Sequence, residues 1–339
     1  MSQQQELTNP DGHCVGPSSE EAGKADSCKG CPNAAICASA PKGPDPDLGA
    51  ITERLQKIKH KILILSGKGG VGKSTLTKEI GLALGRRGLL VGLVDTDICG
   101  PSLPRLTGVR DEEVHNSAEG WEPVSVDDNV TLVSMHFLMG DKRNDAVIWR
   151  GPRKNAMIKN FLKEVSWGDL DVLLFDTPPG TSDEHISTVT FLQQCGGVDG
   201  AIIVTTPQEV ALADVRREIS FCQKTKVPVL GLVENMSGFI CPHCKKESII
   251  FPSKYKEGTG ERLVSEYGFP LLGKVPLDPS LMKSCERGVS LEEELGLGRY
   301  AAAPDAATTA AAVDVIESPT ITSVNSIVDK VLSIMKHSA

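Results

Sequence analysis

The sequence predicts an α/β fold, a doubly wound and mostly parallel sheet, preceded by a cysteine-bearing N-terminal tail. Three observations predict it. Short continuous apolar runs recur along the 339-residue chain, helical stretches lie between most of them, and a complete phosphate-loop pattern follows the first run. Continuous runs rather than alternating ones indicate strands buried on both faces, as in a parallel sheet. Such a sheet binds ligands beyond the carboxyl ends of its strands.

Taken in order, residues 1–50 read as a tail rich in Pro, Gly, Ser and Asp, without a period of 2 or 3.6, and it carries four of the ten cysteines. The stretch 41–47, PKGPDPD, reads as a linker. The apolar runs follow: KILIL (61–65), LLVGLV (89–94), VTLVSM (130–135), DVLLF (171–175), GAIIVTT (200–206), VPVLGLV (227–233) and PLLGKV (270–275). Helical patterns lie at 73–86, 153–165, 209–223 and 259–267. Together these make one α/β domain over 51–300. The remainder, 301–339, begins with a low-complexity Ala-rich connection and ends in a helix with Ile321, Val324, Val328, Val331 and Met335 on one face. That face either packs on the core or lies on a membrane, and Asp329 with few basic residues favours packing.

Composition narrows the function. A net charge of −8 argues against general binding to nucleic acid or anionic membranes. No apolar run approaches the ~20 residues that span a bilayer. The polar start MSQQQELTNPDG has neither a signal-peptide core nor an Arg-rich transit pattern, so a cytoplasmic protein without stable membrane association is expected. In a reducing compartment, clustered cysteines indicate metal ligation more than disulfides.

Gly67, Lys68, Gly69, Gly70, Val71, Gly72, Lys73 and Ser74 match GxxxxGK[ST] between a strand and a helix. The glycines allow backbone N–H groups to curl around phosphates, and the helix N-terminus adds positive dipole. Lys73 is expected on the β- and γ-phosphates of ATP, Ser74 on Mg²⁺ and Thr75 on the α-phosphate. Lys68 is an additional cation in the loop. It is either solvated or supplies charge to the nucleotide of a partner subunit, as an arginine finger does. Asp97 follows the second run and Asp176 ends DVLLF, which puts both carboxylates at the ligand edge. Asp176 is placed to hold Mg²⁺, directly or through water. Gly180 would let a backbone N–H approach the γ-phosphate.

GKGGVGKST, DTDICGPS and DTPPGTSDEH resemble the deviant-Walker P-loop ATPases, the group of MinD, ParA and the nitrogenase iron protein. With VENMSGFICPHC (233–244) and GKVPLDPSL (273–281), the resemblance narrows to the Mrp/NBP ATP-binding proteins, scaffolds for iron–sulfur cluster assembly, over roughly 55–295. It implies that Lys68 acts across a dimer, Asp97 positions or activates the attacking water, Asp176 serves the Mg²⁺ shell and Asn235 contacts the base, with the loop near Pro276 and Asp278 closing over it.

Two cysteine groups remain. Cys241 and Cys244 form a C-x₂-C pair, too few for a tetrahedral zinc or a [4Fe–4S] cluster in one chain. A two-fold dimer supplies the missing pair. The resemblance implies such an arrangement, a labile [4Fe–4S] cluster bridging two chains. A zinc knuckle or an idle surface pair are the other readings. Cys14, Cys28, Cys31 and Cys37 form a second group whose spacing accepts zinc or [4Fe–4S]. It resembles the ferredoxin-like motif of the larger member of the eukaryotic cytosolic scaffold pair, which implies one cluster per chain. Cys99, Cys195, Cys222 and Cys285 are isolated, and such cysteines are usually small buried hydrophobes.

The expected function is a cytosolic iron–sulfur scaffold with slow, switch-like ATP hydrolysis. It would be a homodimer, or a heterotetramer with a shorter paralogue, and would hand clusters to downstream targeting factors and apo-proteins. The alternatives are a MinD/ParA-like spatial organiser and an electron-transfer ATPase like the nitrogenase iron protein.

Overall fold

The computed structural model describes residues 21–29, 34–39, 45–140, 149, 151–252, 258–297 and 318–338. The chain divides into two compact units, Met1–Gly49 and Ala50–Ala339. Within the first, a 3-10 turn covers Asp26–Cys28 and a helix covers Ala34–Ser39. The 41–44 part of the expected linker and the Ala-rich connection at 301–314 lie outside the described residues.

The second unit is built on an eight-stranded sheet. In chain order its strands are β1 (Ile58–Leu65), β2 (Val91–Asp95), β3 (Val124–Asp127), β4 (Val130–Ser134), β5 (Leu170–Asp176), β6 (Gly200–Thr205), β7 (Val229–Asn235) and β8 (Leu271–Val275). Their spatial order is β8-β7-β6-β1-β5-β2-β4-β3. Every pairing is parallel except that of β3 with β4. The apolar runs are buried on both faces: Ile62, Leu63, Ile64 and Leu65 of β1 and Val172, Leu173, Leu174 and Phe175 of β5 are almost wholly enclosed. Flanking the sheet are α1 (Lys73–Arg86), α2 (Gly151–Lys163), α3 (Asp183–Gln194), α4 (Glu209–Thr225), α5 (Thr259–Tyr267), α6 (Pro279–Arg287) and α7 (Pro319–Ser338).

The expected doubly wound fold is present, with shifts at element ends. The seventh strand runs to Asn235 rather than stopping at 233, which fixes Asn235 at the ligand edge. The antiparallel edge strand β3 had no apolar run to announce it, because VSVD alternates and only Val124 is buried.

Helix α7 packs on β8 and α1. Val324, Ile327, Val328, Val331 and Met335 enter the core, whereas Ile321, expected on this stripe, is only half-buried. The i, i+3, i+4, i+7 spacing of these residues is that of a helix with one covered face. Its polar face is also tied down: Lys330 donates to the carbonyls of Leu271 and Leu272 at 3.1 and 2.8 Å, and Arg87 pairs with Asp329 at 2.8 Å. The apolar stripe that raised a membrane reading is therefore covered by the protein. No helix among the described residues is long and apolar enough to cross a membrane.

Because Ile327 is completely enclosed, Ile327→Ala should lower the unfolding free energy by about 2–5 kcal/mol. Urea denaturation followed by circular dichroism measures the change.

Candidate functional site

The turn after β1 carries Gly67–Ser74 and delivers the chain into α1, so the phosphate loop stands at the carboxyl edge of the sheet centre. Gly67 is required by crowding, since a Cβ there would lie 2.5 Å from the Asp214 backbone of α4. Gly72 has φ +83° and caps α1 without a side-chain bond, which leaves the positive end of the helix turned toward the loop. A cavity of about 240 Å³ is lined by Lys68 to Thr75, with Ser66, Ser102, Leu106 and Pro179. Its donors are backbone amides, a helix terminus and lysine, the chemistry that accepts phosphate.

Asp176 ends β5 beside β1 and β2 and is fully buried. Lys73 Nζ lies 2.5 Å from its Oδ1, and Ser74 Oγ donates to its Oδ2 at 2.6 Å. Thr77 Oγ1 lies 2.8 Å from the same carboxylate and 3.0 Å from the Lys73 carbonyl. The lysine expected on phosphate, the serine expected on Mg²⁺ and the aspartate expected in its shell are thus brought together. Thr77 was missed by sequence reasoning, although its position one turn after Lys73 on α1 was available as a signal.

Asp95 faces Asp176 in strand register and is also fully buried. Burial first, then the neighbouring Asp176 charge, pushes its carboxyl well above the ordinary range, opposed by Lys73. It accepts from the backbone N–H groups of Asp97, Ser102 and Leu103 at 3.2, 3.1 and 3.3 Å, which shapes the loop after β2. Asp97 is half-buried and accepts from Gly100 N–H at 3.2 Å. Burial raises its carboxyl too, opposed by Lys73. Lys68 is exposed at the cavity rim and makes no hydrogen bond or ion pair among the described residues.

Two of the expected nucleotide contacts involve groups that the chain itself engages here. The Gly180 N–H, expected to be open to a γ-phosphate, donates to the Ser66 carbonyl at 2.7 Å. Asn235, expected on a base, donates its amide to the Val71 carbonyl at 2.8 Å and so meets the phosphate loop itself.

Past β7, a two-stranded hairpin pairs Phe239–Ile240 with Glu247–Ser248, and CPHCKK is its turn. Cys241 N–H donates to the Lys246 carbonyl at 3.0 Å, and Lys245 N–H donates to the Cys241 carbonyl at 2.9 Å. The backbone N–H groups of Cys244 and then His243, followed by the Cys244 side chain, lower the Cys241 thiol below its usual range. Such hydrogen bonds favour the thiolate over the thiol. Cys244 and His243 are exposed. No group of three or more His, Cys, Asp or Glu able to hold a metal occurs among the described residues. The turn by itself supplies two thiols.

In the N-terminal group, Cys28 is a half-buried free thiol. Cys37 falls on the Ala34–Ser39 helix, and its side chain lies outside the described residues, as do Cys14 and Cys31 entirely. Cys195 and Cys222 are buried as lone cysteines usually are, and burial pushes the Cys222 thiol up to about 12. Cys285 sits 3.9 Å from Thr75 Oγ1.

His185, in the DTPPGTSDEH segment, is buried and closes a capping box with Ser182 at the start of α3. Its Nε2 has no partner among the described residues.

A family model described as ParA, NUBPL iron-transfer P-loop NTPase, matches residues 57–310. The chain is similar to the nucleotide-binding protein from Archaeoglobus fulgidus, solved in complex with ADP and with Co found by PIXE. The identity is 36%, the TM-score 0.63, and the match covers 73% of this chain and 93% of that one. It is also similar to the septum site-determining protein MinD from Pyrococcus horikoshii OT3 complexed with Mg-ADP, at 21% identity and TM-score 0.55, over 83% of this chain and 98% of that one. A likeness to MinD in a MinC:MinD complex from Aquifex aeolicus stands at 18% identity and TM-score 0.52, over 81% and 96% of the two chains. The two MinD likenesses concern the fold.

Burial pulls the His185 imidazole down to about 4, against an ordinary 6.5. The folded chain therefore prefers the neutral ring. Its stabilising contribution is complete above pH 6.5 and is lost as pH falls toward 4, by about 3 kcal/mol in all. His185→Gln should lose correspondingly less stability between pH 7 and pH 4 than the parent chain, as read from urea melts across that range.

Proposed function

The chain belongs to the Mrp/NBP family of ParA-type P-loop NTPases, matched as an iron-transfer NTPase over most of its length, and from this premise we propose that it is an iron–sulfur cluster scaffold driven by ATP. The observation that carries the reading is the Cys241–Cys244 turn. Its leading sulfur is met by two backbone N–H groups, and the turn follows directly from the strand that abuts the phosphate loop.

In this reading, ATP lies on the loop amides with Lys73 on the β- and γ-phosphates, an exchange of the Asp176 carboxylate for phosphate oxygens. Ser74 and the released Asp176 would hold Mg²⁺, which would supply charge neutralisation at the phosphates. Asp97 positions the water, and Thr75 steadies the α-phosphate. Lys68, exposed and unpaired among the described residues, reaches the nucleotide of a second subunit. The cargo is a labile [4Fe–4S] cluster held by Cys241 and Cys244 from each of two chains, which meets the need for four ligands. Cys14, Cys28, Cys31 and Cys37 hold a second cluster in each chain, as all-thiolate donors suit. Hydrolysis is slow and sets when the seam opens for transfer to targeting factors or apo-proteins. The assembly is a homodimer, or a heterotetramer with a shorter paralogue, in the cytoplasm. The spatial-organiser reading is disfavoured because the face of α7 that motivated it is buried on β8.

Anaerobic reconstitution with iron and sulfide tests the scaffold. The parent chain should hold about six iron atoms per chain and Cys241→Ala about four, with the lost iron being the fraction that moves to an apo-acceptor. Equal iron in both proteins would overturn the bridging site. Lys73→Gln should abolish ATP hydrolysis and reduce ATP affinity at least tenfold by filter binding, while leaving the iron content of the Cys28 group intact.

A further inference from the structure

We propose that Asn235 is a positioning residue that transmits the state of the phosphate loop to the Cys241–Cys244 turn, so that bound nucleotide alters the exposure and reactivity of its thiols. The inference rests on the proposed scaffold reading for its purpose, but the linkage itself is argued from geometry alone.

Asn235 ends β7 and is 5% exposed. Its Nδ2 donates to the carbonyl of Val71, in the middle of the loop that must close around phosphates. The fit is without slack: a Cβ on Gly72 would sit 2.2 Å from the same nitrogen. Val71 is itself buried, so a change in the path of the loop backbone displaces the Asn235 amide or breaks its bond.

The chain from Asn235 to Cys241 is short and fixed at successive residues. Met236 takes the left-handed conformation at φ +56°, which a side-chain-bearing residue adopts only when its surroundings impose it. Ser237 N–H donates to the Val275 carbonyl at 2.9 Å, and its hydroxyl donates to Glu234 at 2.7 Å. The Gly238 carbonyl accepts from Leu277 N–H at 2.8 Å. Phe239 and Ile240 are then paired in the hairpin, and Cys241 follows. A shift at Asn235 has no loose residue in which to be absorbed before it arrives at the sulfur.

The same turn is braced from a second direction. Leu277 leads into α6, whose Cys285 lies 3.9 Å from Thr75 Oγ1, and the Val289 carbonyl just beyond α6 accepts from the buried Lys78 of α1 at 2.6 Å. A cavity of about 310 Å³ separates the hairpin from the start of α6, with Cys241 and Pro242 on one wall and Pro276 and Pro279 on the other. The hairpin thus has room to move beside a root pinned to Val275 and Leu277, the arrangement of a hinged arm. By linkage, whatever nucleotide does to the turn, a ligand on the thiols does to nucleotide affinity by an equal factor.

The test uses the full chain without iron and reads alkylation of the 241–244 peptide by iodoacetamide, resolved by mass spectrometry. Saturating Mg-ADP or the slowly hydrolysed Mg-ATPγS should change its rate about fivefold or more, with Cys28 as an internal reference. In Asn235→Ala, with bound nucleotide confirmed by co-elution, the change should vanish. Met236→Gly keeps the amide but loosens the tether, and it should lose most of the response. Equal rates with and without nucleotide in the parent chain would overturn the proposal, as would a full response in Asn235→Ala. If Asn235→Ala does not retain nucleotide, Met236→Gly decides, and an undiminished response there overturns the linkage. Because no cluster is present, failure of the scaffold reading would appear only as absent iron after reconstitution and would leave this measurement unchanged.

Discussion

The Asp176 carboxylate, enclosed at the end of β5, receives the Lys73 ammonium at 2.5 Å and the hydroxyl of Ser74, with Thr77 alongside. A charge so far from water is tolerable only when paired and hydrogen-bonded. That requirement dictates much of the nucleotide edge. It fixes β5 next to β1 so that the carboxylate lies under the first turn of α1, and it fixes the rotation of α1 so that positions 73, 74 and 77 all face the carboxylate. Asp95, opposite it on β2, is buried beside the same charge, and both burial and that charge push its carboxyl upward. The loop that holds Asp97 then hangs from Asp95 through three backbone N–H groups.

How much of this was legible in the sequence follows from how local each feature is. The phosphate loop and the strand-end aspartates depend on residues adjacent in the chain, so their positions could be read directly. The parallel sheet could be read because strands covered on both faces leave unbroken apolar runs. The edge strand β3 could not, since one of its faces meets solvent and its four residues carry a single buried valine. The bond from Asn235 to Val71 spans the sheet from β7 to the loop after β1 and has no local signature. The same is true of Cys285 against Thr75, and of Gly180, whose amide is taken by Ser66 across the site. The stripe on α7 was right in period but misplaced at one end: Ile327 is enclosed, whereas Ile321, in the first turn, is only half-buried.

The cysteine turn illustrates a different limit. Spacing gives two thiols on a tight turn, and the hairpin adds the orientation of backbone N–H groups toward Cys241. Ligand number is a property of an assembly, and a single polypeptide displays only its own share. Four thiolates require either a second chain or a different coordination, and two alone leave any metal they hold open to exchange with incoming thiols.

Helix α7 has a consequence for how the polypeptide reaches this form. It covers β8 and the outer side of α1, yet α1 is made long before it. During synthesis the phosphate helix and the far edge of the sheet emerge from the ribosome with that apolar surface bare. The nascent domain remains unfinished until α7 arrives, and in the interval its bare hydrocarbon is open to aggregation.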